Sequence, residues 1–413
     1  MLEAVAALGT LGSLFFYLLA ALGMASFLRD RRRTLDQLSL SQPPLPESEL
    51  PPVSILKPLK GVDPEIWESF CSHCEQNYPE FELIFGVSDR DDPAVEVVRK
   101  LQEKYGHLRI ELIVCERRLG TNIKVSNLAQ MLPAARHELL LVNDSDIRVP
   151  LDYLRQVFRP LADPSVGLVT CLYRGVDAGT LGSRLEALSI STDFVPGVLS
   201  ARLLERGLHF GLGSTLAFRR QDLAAIGGFE PLLDYLADDY ELGRRIAATG
   251  KRIELSPATV STFLPPYTLR QFFQHQLRWS RTIRAARRWG YGGLLFTFGL
   301  PWALLTLICA RGAPWAWVLL AMTSLARLAV AYGAAEVVLN DCECNDRAFL
   351  RNSLLLPLRD LIAPFIWAAS ILGNRIHWRG DDFNLKNGRL TRVKTTLAEP
   401  TTAKRAASPD WKK

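Results

Sequence analysis

A long apolar run at the start of the chain constrains the fold most. Residues 2–28 contain only one acidic residue and three Ser or Thr residues, and about 20 apolar residues in a helix are enough to cross a bilayer. The basic cluster at residues 29–33 follows at once, and such clusters stay on the cytosolic side. A cleaved signal peptide would carry positive charge before the run. The sequence therefore predicts an uncleaved transmembrane anchor over residues 1–28 and a cytosolic domain after it.

The last third of the chain repeats this pattern. Residues 291–339 contain two apolar runs joined by a short Gly- and Pro-containing turn, and we expect two transmembrane helices there. The basic segment 281–290 precedes them and again places the preceding domain in the cytosol. In residues 340–380 a further apolar stretch is split by Arg359 and Asp360. That segment is expected to be an interfacial or re-entrant helix, or an additional membrane helix.

Short apolar runs alternate with amphipathic segments in residues 53–280. Strands are predicted at residues 82–87 and 139–142, among others, with helices between them. This β-α-β-α order indicates an α/β domain with a mostly parallel, doubly wound sheet, which binds ligands beyond the carboxyl ends of its strands. Residues 29–52, rich in Ser, Pro and Leu, are predicted to be a linker. Residues 381–413 are predicted to be a basic cytosolic tail.

Two acidic clusters follow predicted strands. Asp89 and Asp92 come after one strand, and Asp144 and Asp146 come after another. Alternate side chains of an extended segment point to the same side, and Mg²⁺ and Mn²⁺ prefer carboxylate oxygens together with phosphate oxygens. We therefore expect Asp144 and Asp146 to bind a divalent metal on a diphosphate, and Asp89 or Asp92 to bind a nucleoside. The alternatives are a solvated loop and, before Pro93, a helix cap.

Two further polar groups are candidates for the same site. Asp238 and Asp239 open a predicted helix, so one of them can cap it while the other serves as a general base. Lys124 and Asn127 follow a Leu-Gly-Thr loop. Lys124 is placed to meet a phosphate, assisted by the amino end of a helix. The alternative for Lys124 is an ordinary solvent-exposed lysine.

An aromatic and basic pentad, His275-Gln276-Leu277-Arg278-Trp279, precedes the second apolar region. The Arg278 guanidinium can clamp a diphosphate in bidentate fashion, and the Trp279 indole can wall a sugar ring or a lipid chain. The alternative is an interfacial helix whose Arg and Trp side chains anchor it among lipid headgroups.

Charge and missing motifs exclude several function classes. The net charge is +6, which fits an anionic substrate or an anionic lipid surface. No stretch interleaves basic and aromatic residues as nucleic-acid modules do, so no nucleic-acid partner is expected. P-loop, dinucleotide-binding and G-x-S-x-G patterns are also absent from the sequence, which counts against ATPase, dehydrogenase and hydrolase functions.

Taken in their order along the chain, the acidic clusters, the Lys124 segment and the pentad resemble the motifs of the ceramide glucosyltransferase family, a family-21, family-2-like group of glycosyltransferases. Several look equally like the related bacterial enzymes that add N-acetylglucosamine to a hopanoid lipid. The resemblance extends over residues 53–390, most of the chain. The segments that carry it are Val87-Ser88-Asp89-Arg90-Asp91-Asp92-Pro93-Ala94, Asn122-Ile123-Lys124-Val125-Ser126-Asn127-Leu128, Asp144-Ser145-Asp146-Ile147-Arg148-Val149, Ala237-Asp238-Asp239-Tyr240, Arg278-Trp279 and His377-Trp378-Arg379-Gly380.

The resemblance implies a GT-A fold, the nucleotide-diphospho-sugar transferase type of α/β domain, and assigns roles to its acids. Asp92 matches the first acidic motif, with Asp89 as a nearby alternative. Asp144 matches the second, and Asp239 matches the third, the expected catalytic base. In the pentad, Arg278 and Trp279 match the family pattern. Gln or Arg is usual in the first place, where this chain has His275.

The function implied is a membrane-bound inverting glycosyltransferase with its catalytic domain on the cytosolic face. It would transfer a sugar from a UDP-sugar, with UDP-glucose favoured, to the hydroxyl of a membrane lipid such as ceramide, using Mg²⁺ or Mn²⁺. Transfer of N-acetylglucosamine to a hopanoid remains an alternative. A polysaccharide synthase is another, although it would need more membrane spans for a secretion channel. A non-catalytic membrane scaffold is the third alternative.

Overall fold

The computed structural model describes residues 1–40, 50–339, 348–378 and 381–393. Its first element, helix α1 (Leu2–Leu40), extends beyond the predicted end of the anchor and includes the basic cluster. No Gly or Pro occurs between residues 29 and 40, so nothing in the sequence stops the helix there. Residues 29–40, which the sequence predicts to be part of a linker, are therefore a continuation of the same helix.

The central domain is built on an eight-stranded sheet with strand order β3-β2-β1-β4-β7-β6-β8-β5. Its strands are β1 (Val53–Pro58), β2 (Phe81–Val87), β3 (Arg109–Val114), β4 (Leu139–Val142), β5 (Ile147–Arg148), β6 (Val166–Val176), β7 (Leu216–Arg219) and β8 (Arg252–Phe263). The first four strands in this order are parallel. β7 runs antiparallel to both neighbours, β6 is parallel to β8, and β5 is antiparallel to β8. The sheet is thus mixed, and its parallel part is the half that the sequence predicts most clearly.

Helices connect the strands on both faces of this sheet. They are α2 (Ile66–Cys74), α3 (Ala94–Lys104), α4 (Ile123–Met131), α5 (Tyr153–Phe158), α6 (Leu181–Ser189), α7 (Val195–Leu204), α8 (Arg220–Ala225) and α9 (Asp238–Ala248). A π-helical turn, Ile190–Phe194, joins α6 to α7. Helix α4 begins directly after Asn122, so that both Lys124 and Asn127 lie on it. The side chain of Asn122 accepts a hydrogen bond from the Val125 amide, which satisfies one of the free donors at the helix end.

Two apolar cores lie on the two faces of the sheet, and α1 contributes to one of them. Tyr17 and Phe27 of α1 pack in the same core as strand residues such as Leu56 and Leu140. The other core collects side chains from the opposite face of the sheet and from α2, α3 and α5. The predicted anchor is therefore packed directly against the catalytic domain.

Close packing of α1 against α7 depends on a glycine. A Cβ atom at Gly23 would lie 2.6 Å from the carbonyl oxygen of Leu199, so any side chain there would force the two helices apart.

The C-terminal region begins with helix α10 (Leu269–Ala286), whose amino end carries a reciprocal capping box between Thr268 and Gln271. The helices that follow are α11 (Arg288–Gly293), α12 (Gly299–Cys309), α13 (Pro314–Tyr332), α14 (Ala348–Ser353) and α15 (Leu356–Ile371). Within the described ranges, two helices, 2–36 and 314–338, have the length and hydropathy to cross a membrane. The segment Arg288–Thr297 and helix α12 are bent by 56° relative to each other, and together they make a third crossing if they are counted as one span.

The arginine that interrupts α13 faces protein, which is one of the few environments that a charge inside an apolar helix tolerates. Arg327 is 6% exposed. Its guanidinium donates to both carboxylate oxygens of Asp360 on α15 at 3.0 and 3.1 Å, and to Asp193 in the π-helical turn at 2.8 Å. The Nη1 atom of Arg327 donates to the carbonyl of Thr192 at 2.7 Å. This buried network ties the apolar helices to the catalytic domain.

A second, three-stranded antiparallel sheet lies where the sequence predicts the end of the interfacial segment and the basic tail. Its strands are β9 (Arg375–Trp378), β10 (Asp381–Lys386) and β11 (Arg389–Arg392). Asn387 and Gly388 both have positive φ, 51° and 79°, the conformation of the Asn-Gly turn that joins tightly paired antiparallel strands. The tail beyond residue 393 lies outside the described residues.

Candidate active site

The Asp144-Ser145-Asp146 segment leaves the carboxyl end of β4 and is held from several sides. Fully buried Lys57 of β1 donates to the backbone oxygen of Asp144 at 3.0 Å. The Ser145 hydroxyl donates to the carboxylate of Asp63, and the carboxylate of Asp146 accepts from Thr262. The predicted metal-binding segment is therefore a fixed turn and not a solvated loop.

The acidic pair at the start of α9 meets this turn. A Cβ atom at Gly213 would lie 3.1 Å from the Asp239 Oδ2 atom and 3.3 Å from the Asp144 Oδ2 atom. Both carboxylates therefore converge on the same glycine, although they are far apart in sequence. Asp239 also accepts a hydrogen bond from the Tyr240 amide at 2.7 Å through its other oxygen. We call Asp144, Asp146, Asp238 and Asp239 the acidic site.

Lys124 lies among these acids. Its Nζ atom is 2.7 Å from Asp144 Oδ1 and 3.4 Å from Asp238 Oδ2. Although burial opposes its charge, the nearby carboxylates of Asp144, Asp238 and Asp239 raise the pKa of Lys124, so it is an ammonium at neutral pH. A cation at this point offsets the repulsion of the acids and is also placed to meet a phosphate.

The acidic site has the electrostatic signature of a functional centre. Burial and the negative charge of Asp144 raise the pKa of Asp146 to about 6. Burial and the charge of Asp238 raise the pKa of Asp239 to about 6, against the opposing effect of Lys124. A carboxyl group whose pKa lies near the operating pH can exchange protons with a substrate.

The other predicted nucleotide-binding residues lie around this centre. Asn127 is buried, and its side chain accepts a hydrogen bond from the Ser88 hydroxyl at 2.9 Å. The carboxylate of Asp92 accepts from the amides of Gly61 at 2.9 Å and Ala94 at 2.9 Å, so it fixes the loop after β1 and also caps α3. Asp89 is exposed and accepts from the Asp91 amide at 3.0 Å. These contacts correspond to the helix-cap alternative, and a nucleoside-binding role for either acid stays a prediction.

His275 of the pentad contacts a buried acid. Its Nδ1 atom is 3.0 Å from Glu186 Oε1, and the Gln276 side chain donates to the other carboxylate oxygen at 2.9 Å. Glu186 is fully buried. Burial opposes its charge, but His275 and Arg359, together with these hydrogen bonds, lower the pKa of Glu186. Glu186 is therefore a carboxylate, and its contact orients His275, the first residue of the pentad.

Trp279 belongs to an aromatic group beside the acidic site. Its ring lies 5.6 Å from that of His275 and 5.7 Å from that of Phe194. Phe194 in turn contacts Tyr173 of β6, with 5.0 Å between ring centroids. Arg278 is half-buried on the same helix. Trp279 therefore belongs to a cluster of aromatic rings at the π-helical turn, and its role as a wall for a sugar or a lipid chain stays a prediction.

Tyr173 is a site residue that the sequence did not reveal. Burial and the negative charges of Asp239, Glu186, Asp144 and Asp146 raise its pKa. It therefore lies between the acidic site and the carboxylate that holds the pentad. Lys57 and Glu186 were missed for the same reason: each is a single polar residue in an otherwise ordinary strand or helix, and only the fold brings it to the site.

A pocket opens at the acidic site. Its lining comes from the ends of β1 and β4, from the start of α4 and from the small C-terminal sheet. The lining residues are Pro58, Leu59, Lys60, Thr121, Ile123, Lys124, Asn127, Asp144, Ser145, Trp378, Asp381 and Phe383. Three of the predicted binding residues (Lys124, Asn127 and Asp144) thus share one pocket.

The donor atoms available here suit a hard divalent cation. Among the described residues, no three His, Cys, Asp or Glu side chains already stand as a metal site. Magnesium, however, commonly takes one or two protein carboxylates and completes its shell with water and substrate phosphates. Asp144 and Asp146 are two such carboxylates, and the repulsion that raises the pKa of Asp146 is what a cation between them would relieve. The residues present therefore fit Mg²⁺ or Mn²⁺.

Comparisons with known proteins identify the class. The model of glycosyl transferase family 21 matches residues 14–391. Ceramide glucosyltransferase 3 of Caenorhabditis elegans is 25% identical over 355 residues, which cover 83% of this chain and 74% of that protein. Ceramide glucosyltransferase 1 of the same organism is 24% identical over 367 residues, 86% of this chain and 76% of that protein. The solved structure of the mannosyltransferase PcManGT from Pyrobaculum calidifontis, in complex with GDP-Man and Mn²⁺, is also similar. It is 22% identical in sequence, and the match covers 90% of this chain and 97% of that chain with a TM-score of 0.49.

Carboxylates that converge beyond the ends of parallel strands, with a lysine among them, are groups suited to an anionic ligand that carries a divalent cation. The chain belongs to glycosyltransferase family 21, because that family's model matches most of its length. Membership confirms the predicted GT-A fold and the predicted enzyme class, a glycosyltransferase related to ceramide glucosyltransferases.

Proposed function

We propose that this protein transfers a hexose from a UDP-sugar to the primary hydroxyl of a membrane lipid, with UDP-glucose and ceramide as the favoured pair. The observation that carries the proposal is the approach of Asp144 and Asp239 to the same glycine, with Lys124 between the acids. That arrangement supplies a binding group for a diphosphate and a base for an alcohol within one site. Relatives named ceramide glucosyltransferase support the choice of sugar and acceptor.

In the proposed reaction, Asp239 accepts the proton of the lipid hydroxyl on its Oδ2 oxygen, which faces Gly213. The alcohol oxygen bonds to the anomeric carbon as the bond from that carbon to the diphosphate breaks. Attack from the face opposite the leaving group inverts the configuration. Lys124 lies next to Asp144 at 2.7 Å and is assigned to the departing diphosphate. When bound at Asp144 and Asp146, Mg²⁺ or Mn²⁺ would stabilise the charge on that leaving group.

The remaining residues are assigned to binding. Asp92 or Asp89 is assigned to the nucleoside end of the donor, with Asn127 nearby. Arg278 and Trp279 are assigned to the diphosphate and the acceptor. His275 positions this helix through its contact with Glu186 at 3.0 Å.

The acceptor is proposed to arrive from the bilayer on the cytosolic side. Two apolar helices, α1 and α13, contact each other and share a core with the catalytic domain, and basic residues follow the first of them in sequence. A lipid held in such helices meets the base already oriented, which lowers the entropic part of the barrier.

The test is a reaction of the purified full-length protein in lipid nanodiscs. UDP-glucose, UDP-galactose and UDP-N-acetylglucosamine are each offered with ceramide, diacylglycerol or a hopanoid, and the products are identified by mass spectrometry. A monohexosyl ceramide is expected from UDP-glucose. A hopanoid product would favour the alternative acceptor, a polymer would favour a polysaccharide synthase, and no product from any pair would refute the proposal.

A further inference from the structure

The small C-terminal sheet faces the acidic site. Trp378, Asp381 and Phe383 line the same pocket as Lys124 and Asp144. Nothing in the proposed reaction uses these three side chains, and they follow the last apolar helix in sequence. Their position nevertheless gives the pocket a wall opposite the strand ends.

The sheet is fastened to the loop that leads to α9. The amide of Leu390 donates to the carbonyl of Asp234 at 2.7 Å, and the amide of Leu236 donates to the carbonyl of Gly388 at 3.1 Å. Leu236 also packs in a small core with apolar side chains of the sheet. These side chains are Ile376, Phe383, Leu385 and Leu390. The sheet and the loop before Asp238 are therefore one packed unit.

The same sheet contacts the loop that leads to Lys124. The Thr121 hydroxyl lies within hydrogen-bonding distance of the carbonyl of Leu390 at 3.3 Å and of Asp234 Oδ1 at 2.6 Å. The amide of Asn122 donates to Leu233 at 2.8 Å. A shift of the sheet would thus be felt by both loops that carry the acidic site and its lysine.

The chemistry of the wall suits a nucleotide. Trp378 is half-buried and offers a flat apolar ring. The carboxylate of Asp381 accepts from Arg392 at 2.6 Å and lies 3.9 Å from Arg118. The hydrogen bond from Arg392, with the charges of Arg118 and Lys60, lowers the pKa of Asp381. Its negative charge is therefore compensated by neighbouring cations and does not leave the wall repulsive to a diphosphate.

The position of the wall identifies the part of the donor that it meets. Asp144, which is assigned to the diphosphate, and Asn127, which is assigned to the nucleoside end of the donor, line this pocket together with Trp378. The wall is therefore on the nucleoside side of the diphosphate.

We propose that the sheet formed by β9, β10 and β11 is a wall of the donor pocket, and that Trp378 packs against the nucleoside of the donor. This inference rests on the proposed function, because it takes the donor to be a nucleoside diphosphate sugar. It adds a binding element that lies outside the eight-stranded sheet and beyond the apolar helices in sequence.

The first test uses the unmodified full-length protein and UDP with Mn²⁺ in hydrogen–deuterium exchange. Peptides from β9, β10 and β11 are expected to exchange more slowly when UDP is bound, together with peptides from the start of α4. Protection of α4 without any change in the sheet would overturn the inference while leaving the proposed function standing. A protein that binds no UDP would refute the proposed function, and this inference with it.

The second test compares Trp378→Ala with Trp67→Ala by calorimetric titration of UDP and Mn²⁺. Trp67 is also a half-buried tryptophan, but it lies on α2 beneath Lys104 and does not line the pocket. Loss of a base-stacking ring should weaken UDP binding by roughly tenfold or more in the first variant only. Equal affinities in both variants and the wild type would overturn the inference. If Trp378→Ala does not fold, the exchange experiment on the wild type decides alone.

Discussion

The pH dependence of turnover should report the ionisation of Asp239. Burial and the adjacent charge of Asp238 raise its pKa to about 6, whereas an ordinary aspartate has a pKa of about 3.9. A general base must be ionised to accept a proton. Lowering the pH through this pKa therefore protonates Asp239 and removes the base, so kcat/KM is expected to fall about tenfold per pH unit below about 6 and to level off above it.

Replacement of the residue gives the size of the effect. In the wild type, the Tyr240 amide donates a hydrogen bond to Asp239 at 2.7 Å. Asp239→Asn keeps the shape of the side chain and an oxygen that can accept this bond. It cannot accept the proton of the acceptor. A positioned base contributes about 10²–10⁴ in rate, or roughly 3–5 kcal/mol of barrier, so kcat should fall by that factor while UDP affinity stays within about threefold.

The assay is formation of the hexosyl lipid, followed by mass spectrometry over a pH series, with UDP binding measured by calorimetry. Asp152→Asn is the control, because Asp152 is an exposed aspartate at the start of α5. Asp239→Asn with near-normal turnover, or a wild-type profile that does not decline below pH 6, would refute the assignment of Asp239 as base.

Three further changes test the surroundings of the base. Lys124→Met removes a charge that lowers the pKa of Asp239, so the acidic limb of the pH–rate profile should move to higher pH; an unmoved limb would contradict the coupling. Glu186→Gln removes a fully buried carboxylate that contacts His275. It should lower the free energy of unfolding by about 1–3 kcal/mol, which thermal unfolding would detect. An unchanged midpoint would count against the role of Glu186 in orienting His275. Gly213→Ala places a methyl group 3.1 Å from the Oδ2 atom of Asp239, the proposed base, so kcat should fall at least about tenfold with normal expression. An unchanged kcat would show that the site tolerates displacement.

The sequence predicts those parts of the site that depend on local pattern. Asp144 could be placed because a short apolar strand ends immediately before it, and strand ends carry the ligand sites of parallel sheets. Asp239 could be placed because it opens a helix. The reversal of β7 could not be predicted, since a short apolar run gives no sign of its direction. Without that strand, nothing in the sequence brings Gly213 between the two acids.

The residues that the sequence missed are of two kinds. Tyr173 and Glu186 are distant from every motif, and only the packing of β6 and α6 beside the pentad gives them a role. The C-terminal sheet is different, because Asn387-Gly388 between alternating apolar and polar residues is a strong hairpin signal. The basic character of the region led to its interpretation as a tail. A search for turn residues there would have found the sheet.

The acidic site is proposed to bind a nucleoside diphosphate together with a divalent cation. Calorimetric titration of the full-length protein with UDP, with Mn²⁺ and then with excess EDTA, tests it most directly, and Asp144→Asn serves as the matched variant. Binding that requires Mn²⁺ and weakens by about 100-fold or more in the variant is the predicted result. Equal UDP affinity with EDTA, or in Asp144→Asn, would contradict it.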